Sequence, residues 1–246
     1  MNVISVLQRV AAQATAIDGK SVPPVAWDCN CLEEVCGACT MVINGKVRQA
    51  CSALVDKMLA DNPNEIELRP MAKFPVVRRP DGRSCPAVSQ PENASKPGFR
   101  STATTTPAPV PGSRKTNSTR AYPLSECMSC GCCLDACPQF GKIEVGAEDR
   151  AKTASQIGRT RTKDDYDESF LGAHAISQAM LFNAHPTGKL NAGERLDALM
   201  SEGGVQVCGN AQNCVAVCPK EIPLTESIAR AGRALTVHAV KKIFDR

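Results

Sequence analysis

Fourteen of the 246 residues are cysteines, and their spacing is the first pointer to chemistry. Cys31-Leu-Glu-Glu-Val-Cys36-Gly-Ala-Cys39 is followed, after eleven intervening residues, by Cys51. A tight run of three thiolates with a distant fourth is the spacing that wraps a 2Fe-2S cluster. The cluster needs backbone that can approach closely, and Gly37 and Ala38 allow this while leaving N–H groups to face the anionic sulfurs. Zinc competes for such donors, but tetrahedral zinc sites usually pair two close Cys-x2-Cys or Cys/His halves. Cys29 and Cys85 lie outside the spacing and read as bystander thiols.

A second run, Cys127-Met-Ser-Cys130-Gly-Cys-Cys133-Leu-Asp-Ala-Cys137-Pro138, fits the bacterial pattern whose fourth cysteine ligates the other cluster of a pair. A third run ends in the same way, Cys208-Gly-Asn-Ala-Gln-Asn-Cys214-Val-Ala-Val-Cys218-Pro219, with Ala211 at the middle cysteine position. Exchanging the final cysteines gives Cys127, Cys130, Cys133 and Cys218 to a 4Fe-4S cluster. Cys137, Cys208 and Cys214 are left for a site one ligand short, which suits a 3Fe-4S cluster. Cys132 falls between ligand positions and reads as spare. Cluster potential follows type, charge, hydrogen bonds to sulfur and exposure, so three such centres make an electron wire. No nucleophile–base pair or nucleotide loop accompanies them. His174, His185 and His238 are scattered, and substrate chemistry is expected on a partner; His185, before Pro186, reads as a capping or packing residue.

The elements that must position these thiols form two units. In residues 1–77, Val3, Val6, Leu7, Val10 and Ala11 fall at helical spacing. Asn44-Gly45 marks a hairpin after Thr40, and Ile66-Glu-Leu-Arg-Pro70 reads as a further strand. Met71, Phe74, Val76 and Val77 read as core. Residues 121–246 predict helices over 170–184, 191–200 and 225–244, punctuated by Gly203-Gly204 and Pro223. The fold class is therefore α+β in the first unit and all-α in the second.

The net charge of +4 is concentrated in the segment 78–120. That stretch has eight Lys and Arg against Asp81 and Glu92, seven Pro, twelve Ser and Thr, and no Leu, Ile, Met, Tyr or Trp. It cannot bury enough apolar surface to offset the entropy of ordering it, and is expected to be disordered. The remainder is slightly acidic, so nucleic acid is not expected as a partner. No apolar run approaches the ~18 residues of a membrane span. Gln8 and Arg9 interrupt the opening run too early for an export signal, which predicts a reducing compartment and thiols used as metal ligands.

A plant-type 2Fe-2S domain joined to a helical domain with these two runs resembles the iron-sulfur subunit of succinate dehydrogenase and fumarate reductase. The resemblance is carried by Asn30-Cys-Leu-Glu-Glu-Val-Cys-Gly-Ala-Cys, Met41-Val-Ile-Asn-Gly-Lys, Leu68-Arg-Pro-Met, Leu181-Phe-Asn-Ala-His-Pro-Thr-Gly and Gly209-Asn-Ala-Gln-Asn-Cys-Val-Ala-Val-Cys-Pro-Lys-Glu-Ile-Pro-Leu. It covers residues 1–77 and 121–246 and looks most like the menaquinone-type branch. It implies an N-terminal plant-type ferredoxin (β-grasp) domain and a C-terminal, bacterial-ferredoxin-like helical domain. It also implies a complex, in which a flavoprotein subunit with covalent FAD oxidises succinate. Electrons then pass through 2Fe-2S, 4Fe-4S and 3Fe-4S centres to a quinone, menaquinone in this branch. The quinone lies between this subunit and a haem-containing membrane anchor, on the cytoplasmic face of the bacterial inner membrane. The family's ligands fall on the cysteines already selected, and its quinone pocket points to Pro138, Gly209 and Ala211. Reverse flux, as fumarate reductase, and a soluble stand-alone ferredoxin-like carrier are the alternatives.

Two departures from the family pattern are expected to matter. The family's first domain opens with a strand hairpin upstream of the helix at Val3, so the domain is expected to lack its first strands. After Phe74-Pro-Val-Val-Arg78 the family continues with a helical stretch, whereas this chain enters the basic segment and resumes at Ala121-Tyr-Pro-Leu. A reading-frame shift with a mis-called start, or a lineage-specific linker, would each produce that pattern.

Overall fold

The computed structural model describes residues 1–61, 65–74, 115–142 and 169–244. Its contacts divide the chain into two compact units, Met1–Gln90 with Met128–Asp135, and Pro91–Cys127 with Ala136–Arg246. Met128–Asp135, drawn with the helical domain in sequence, thus groups with the first unit. Most of the basic segment, together with Cys85, Val76 and Val77, lies outside the described residues. Its last part differs from the disorder expected, because helix α3, Lys115–Ser125, already begins there.

The first unit is built on a helix and a small sheet. Helix α1, Val3–Gln13, starts at Asn2, whose side chain accepts the Ser5 N–H at 2.9 Å. It ends at Ala14, in left-handed backbone with φ 45°. A helix of eleven residues is marginal in water by itself; Val3, Ile4 and Leu7, all buried, hold it down at about 1.5–3 kcal/mol each. Strands β1, Thr40–Ile43, and β2, Lys46–Gln49, pair antiparallel with Thr40 opposite Gln49 and Ile43 opposite Lys46. The two residues between them, Asn44 and Gly45, both have positive φ, 47° and 76°, as a two-residue hairpin turn requires. After α2, Val55–Asp61, strand β3, Leu68–Arg69, joins β1 and gives the order β2-β1-β3. It is shorter than the expected strand. Short α4, Cys132–Asp135, belongs to the same unit, and its Asp135 Oδ1 accepts the Lys73 N–H at 2.9 Å. The core joins Val3, Ile4, Leu7, Ile43, Ala53 and Met58 to Cys39 and Cys51, so two candidate ligands are themselves core residues.

The second unit is helical. Helices α5, Gly172–Ala184, α6, Ala192–Met200, and α8, Leu224–Phe244, pack around Phe170, Ile176, Ala179, Leu199 and Ala231, with α3 against α5. The short α7, Asn213–Ala216, carries Cys214. Arg195, nearly buried, ties α6 to its neighbours through Nε to Asn183 Oδ1 at 2.6 Å and a second bond to the Gly188 carbonyl. The His185 Nδ1 accepts the Thr187 N–H at 3.3 Å, a local cap where α5 ends. Among the described residues no helix is long and apolar enough to cross a membrane.

Candidate metal centres

The loop that presents Cys31 and Cys36 turns repeatedly through left-handed backbone, with φ 61° at Leu32, 56° at Glu34 and 76° at Gly37. Its N–H groups turn onto the sulfurs. Those of Glu33, Val35 and Cys36 donate to Cys31 Sγ at 3.4, 3.3 and 3.3 Å. Those of Cys31 and Ala38 donate to Cys36 Sγ at 3.5 Å each. The three bonds to Cys31 favour its thiolate and lower its pKa from 9.0 to about 7.

The other two members of the set face inward. Cys39 and Cys51 are buried, and burial, reinforced by Cys39, pushes the Cys51 thiol up to about 11. Bare, the Cys51 thiol resists ionising; bound metal removes the resistance, because a coordinating thiol is deprotonated outright. Four thiols, two in a nest of N–H donors and two in a dry core, are a donor set that fits a 2Fe-2S cluster. Three further contacts fix the geometry. Asn2 Nδ2 donates to the Cys51 carbonyl at 3.0 Å, and Ala50 N–H to the Cys39 carbonyl at 3.1 Å. Ser52 Oγ donates to Glu34 Oε1 at 2.6 Å, binding the ligand loop to the segment that carries Cys51. Cys29, outside the spacing, packs against the core of this unit.

The second run straddles the two groupings: Cys130, Cys132 and Cys133 fall in the first unit, Cys127 and Cys137 in the second, which also holds Cys218 of the third run. Within the first unit, Gly37 sits directly on Cys130, where a Cβ added to the glycine would meet Cys130 Cβ at 2.9 Å. Cys132, set aside as spare by its position, is fully buried. It accepts a hydrogen bond from Gln49 Nε2 at 3.5 Å, and Gln49 is itself fully buried, bonded to Thr40 Oγ1 at 2.8 Å and in contact with Cys39 Sγ at 3.6 Å. Hydrogen bonding from the Cys132 side chain lowers the Cys130 thiol to about 6, while the same bond and burial push Cys132 up. Spacing offers no sign of this arrangement, but strand alternation does: in β2 the inward positions are Val47 and Gln49, and a buried amide on that face needs partners.

Within the second unit, Cys137, Cys208 and Cys214 line one concavity, together with Pro138, Gly209 and Ala211. The loop that shapes it passes through left-handed backbone at Asn210 and Gln212, and Asn213 Nδ2 donates to the Ala136 carbonyl at 3.1 Å, tying the third run to the second. Cys214 is held above the usual thiol range, first by burial and then by its neighbours Cys137 and Cys208. Three half-buried thiols that repel one another as thiolates fit a site that supplies positive charge, as iron does. Among the described residues no disulfide joins any cysteine, and no three His, Cys, Asp or Glu side chains gather closely enough to hold a single metal ion.

Comparison with known proteins accords with this reading. Residues 1–79 match a family model described as a 2Fe-2S iron-sulfur cluster binding domain, and residues 122–222 one described as a 4Fe-4S dicluster domain. The chain is 43% identical over 246 residues to the succinate dehydrogenase iron-sulfur subunit of Bacillus subtilis, covering 99% of this chain and 85% of that one. It is 26% identical over 230 residues to the fumarate reductase iron-sulfur subunit of Haemophilus influenzae, covering 86% and 75%. A chain of the Mycobacterium smegmatis Sdh1 complex in the apo form shares the fold, with TM-score 0.62 and 21% identity over 95% of this chain and 84% of that one. Near-full-length similarity at that first level, with matches to both cluster-binding family models, places it in a family: it belongs to the iron-sulfur subunits of succinate dehydrogenase.

Proposed function

We propose that this subunit carries electrons from a flavoprotein subunit with covalent FAD to a quinone, menaquinone, bound beside a haem-containing membrane anchor. Cys31, Cys36, Cys39 and Cys51 hold the 2Fe-2S cluster. Cys127, Cys130, Cys133 and Cys218 hold the 4Fe-4S cluster, and Cys137, Cys208 and Cys214 the 3Fe-4S cluster. When bound, these clusters supply one-electron chemistry that no side chain of this chain provides. The observation that carries the reading is the set of five backbone N–H groups turned onto Cys31 and Cys36, an anion cradle that a purely structural thiol pair does not need.

The chain's own residues fix ligand geometry and set the polarity around each sulfur. The first site has two exposed-side sulfurs and two buried ones. Pro138, Gly209 and Ala211 border the third, and are the candidate quinone neighbours. The domain layout that goes with this function is a 2Fe-2S domain over 1–77, a connecting segment over 78–120 and a two-cluster domain over 121–246. The complex sits on the cytoplasmic face of the membrane and oxidises succinate. Fumarate reductase relatives keep reverse flux as the second reading.

The test is purification from membranes of the native host under anaerobic conditions, followed by succinate-driven reduction of a naphthoquinone. Co-purification with a flavin-containing subunit and quinone reduction abolished by Cys214→Ala are the expected results. A chain that purifies alone, without flavin, would overturn the complex and leave the stand-alone carrier.

A further inference from the structure

The last turns of helix α8 are amphipathic the wrong way round. Its first half buries Leu224, Ser227 and Ala231 in the second unit, and Leu235 still packs on that core. Beyond Leu235 the side turned to the body carries polar groups: His238 Nε2 and Lys242 Nζ meet Asp197 Oδ1 of α6 at 2.8 and 2.6 Å. Val237, Val240, Ile243 and Phe244 are left outside, the last two 71% and 83% exposed. Single exposed apolar residues are ordinary, but these four gather at one end of one helix at helical spacing. Arg233 and Lys241, both exposed, flank Val237 one turn away on either side. Four side chains are few against the about 20–30 residues a side of a standard protein interface. An apolar stripe with Lys and Arg beside it suits the boundary of an anionic bilayer instead. Helix α8 is not apolar enough to cross a membrane, which leaves lying on one. The same helix begins at the concavity that holds Cys137, Cys208 and Cys214, which Thr225 and Ile228 help to line. Ile243 follows Thr225 by about five turns and so lies on the same side of α8.

We propose that the outer face of α8, through Val237, Val240, Ile243 and Phe244 with Arg233 and Lys241, binds an anionic phospholipid surface. The apolar side chains enter the boundary between headgroups and acyl chains, and the two cations meet lipid phosphates. This goes beyond attachment through an anchor subunit, because the chain itself touches lipid. The quinone reading contributes only the side of α8 on which the membrane lies. Vesicle binding is measured without quinone, so either reading can fail without the other.

The test is co-sedimentation of the full-length chain, purified anaerobically, with phosphatidylcholine vesicles that contain or lack phosphatidylglycerol. The anionic vesicles should bind about tenfold more tightly than the neutral ones, and the difference should shrink as salt rises. Val240→Ser and Phe244→Ser should each weaken anionic binding about tenfold. Arg233→Gln with Lys241→Gln should bring it down to the neutral level. These side chains point outward, so the variants should keep the wild-type melting temperature. Lys20→Gln, which removes an exposed cation from the first unit, should leave binding unchanged. Equal binding to the two vesicles, binding to neither, or wild-type binding by either the apolar or the cation variants overturns the proposal. So does a Lys20 variant as weak as the α8 ones, since the attraction would then be diffuse. A chain that ignores lipid, but whose α8 variants no longer hold the anchor subunit, also overturns it, because the face would then belong to a protein.

Discussion

Gly37 and Gly45 share a backbone angle, φ +76° at each, and differ in what surrounds them. Alanine at Gly45 would meet nothing within 4 Å, so its cost is conformational strain alone, about 1–2 kcal/mol. Alanine at Gly37 incurs the same strain and also places its Cβ 2.9 Å from Cys130 Cβ and 3.0 Å from Cys130 Cα. The second of those atoms is backbone and cannot swing aside. Overpacking of this kind costs about 1–3 kcal/mol more. At about 2–4 °C per kcal/mol for a chain of this size, Gly37→Ala should melt about 2–12 °C below Gly45→Ala. The assay is thermal unfolding of the cluster-loaded, full-length chain at one scan rate, followed by the visible absorption of the first cluster. Equal melting temperatures for the two variants, with wild-type iron content in both, would refute the close approach of the ligand loop to Cys130.

Three further perturbations follow from the same contacts. Asn2→Ala removes a helix cap worth about 1 kcal/mol and a hydrogen bond to the Cys51 carbonyl worth about 1 kcal/mol; chemical denaturation should report a loss near their sum. Glu34→Ala frees the ligand loop from Ser52, and the first cluster should then be lost to a chelator faster than in wild type, with third-cluster EPR unaffected; equal rates would remove Glu34 from the account. Asp197 titrates below its usual 3.8 because Lys242, at 2.6 Å, and then His238, at 2.8 Å, stabilise its carboxylate. Its folded pKa is depressed, so its contribution is present above the unfolded value and lost as pH falls through the folded one. The group is largely exposed, which keeps the contribution below about 1 kcal/mol. Asp197→Asn should flatten the fall in stability below about pH 4, and an unchanged acid profile would count against the Asp197 clamp.

How far sequence reached into this structure depended on how local each feature is. The Asn44-Gly45 hairpin was legible because positive φ is a property of those two residues. Helix α1 was legible because its apolar spacing survives whatever it packs on. The helix expected over 191–200 starts one residue later, at Ala192, and the Asn191 side chain makes no cap bond to it. The chain enters that helix from a 3-10 turn, Gly188–Asn191, and the Ala192 N–H is satisfied by the Lys189 carbonyl instead. Lys115–Ser125 was partly lost to composition: α3 packs on α5, and tertiary contact outweighs the weak helix propensity of its Ser, Thr and Pro residues. The grouping of Cys137, Cys208 and Cys214 could be read from run spacing, because Cys-Pro endings align the two runs. Gln49 and Cys132 could not. They lie 83 residues apart, and only folding brings them into one hydrogen bond.

The central claim is that these cysteines hold three centres of different kinds on one chain. Low-temperature EPR of the anaerobically purified full-length chain tests it most directly, recorded first oxidised and then reduced with dithionite. The account predicts a 3Fe-4S signal in the oxidised sample, replaced on reduction by 2Fe-2S and 4Fe-4S signals, and a Cys137→Ser variant that loses only the first of these. An oxidised sample without a 3Fe-4S signal, whose reduced form shows two 4Fe-4S centres, would contradict the three-thiol assignment of Cys137, Cys208 and Cys214.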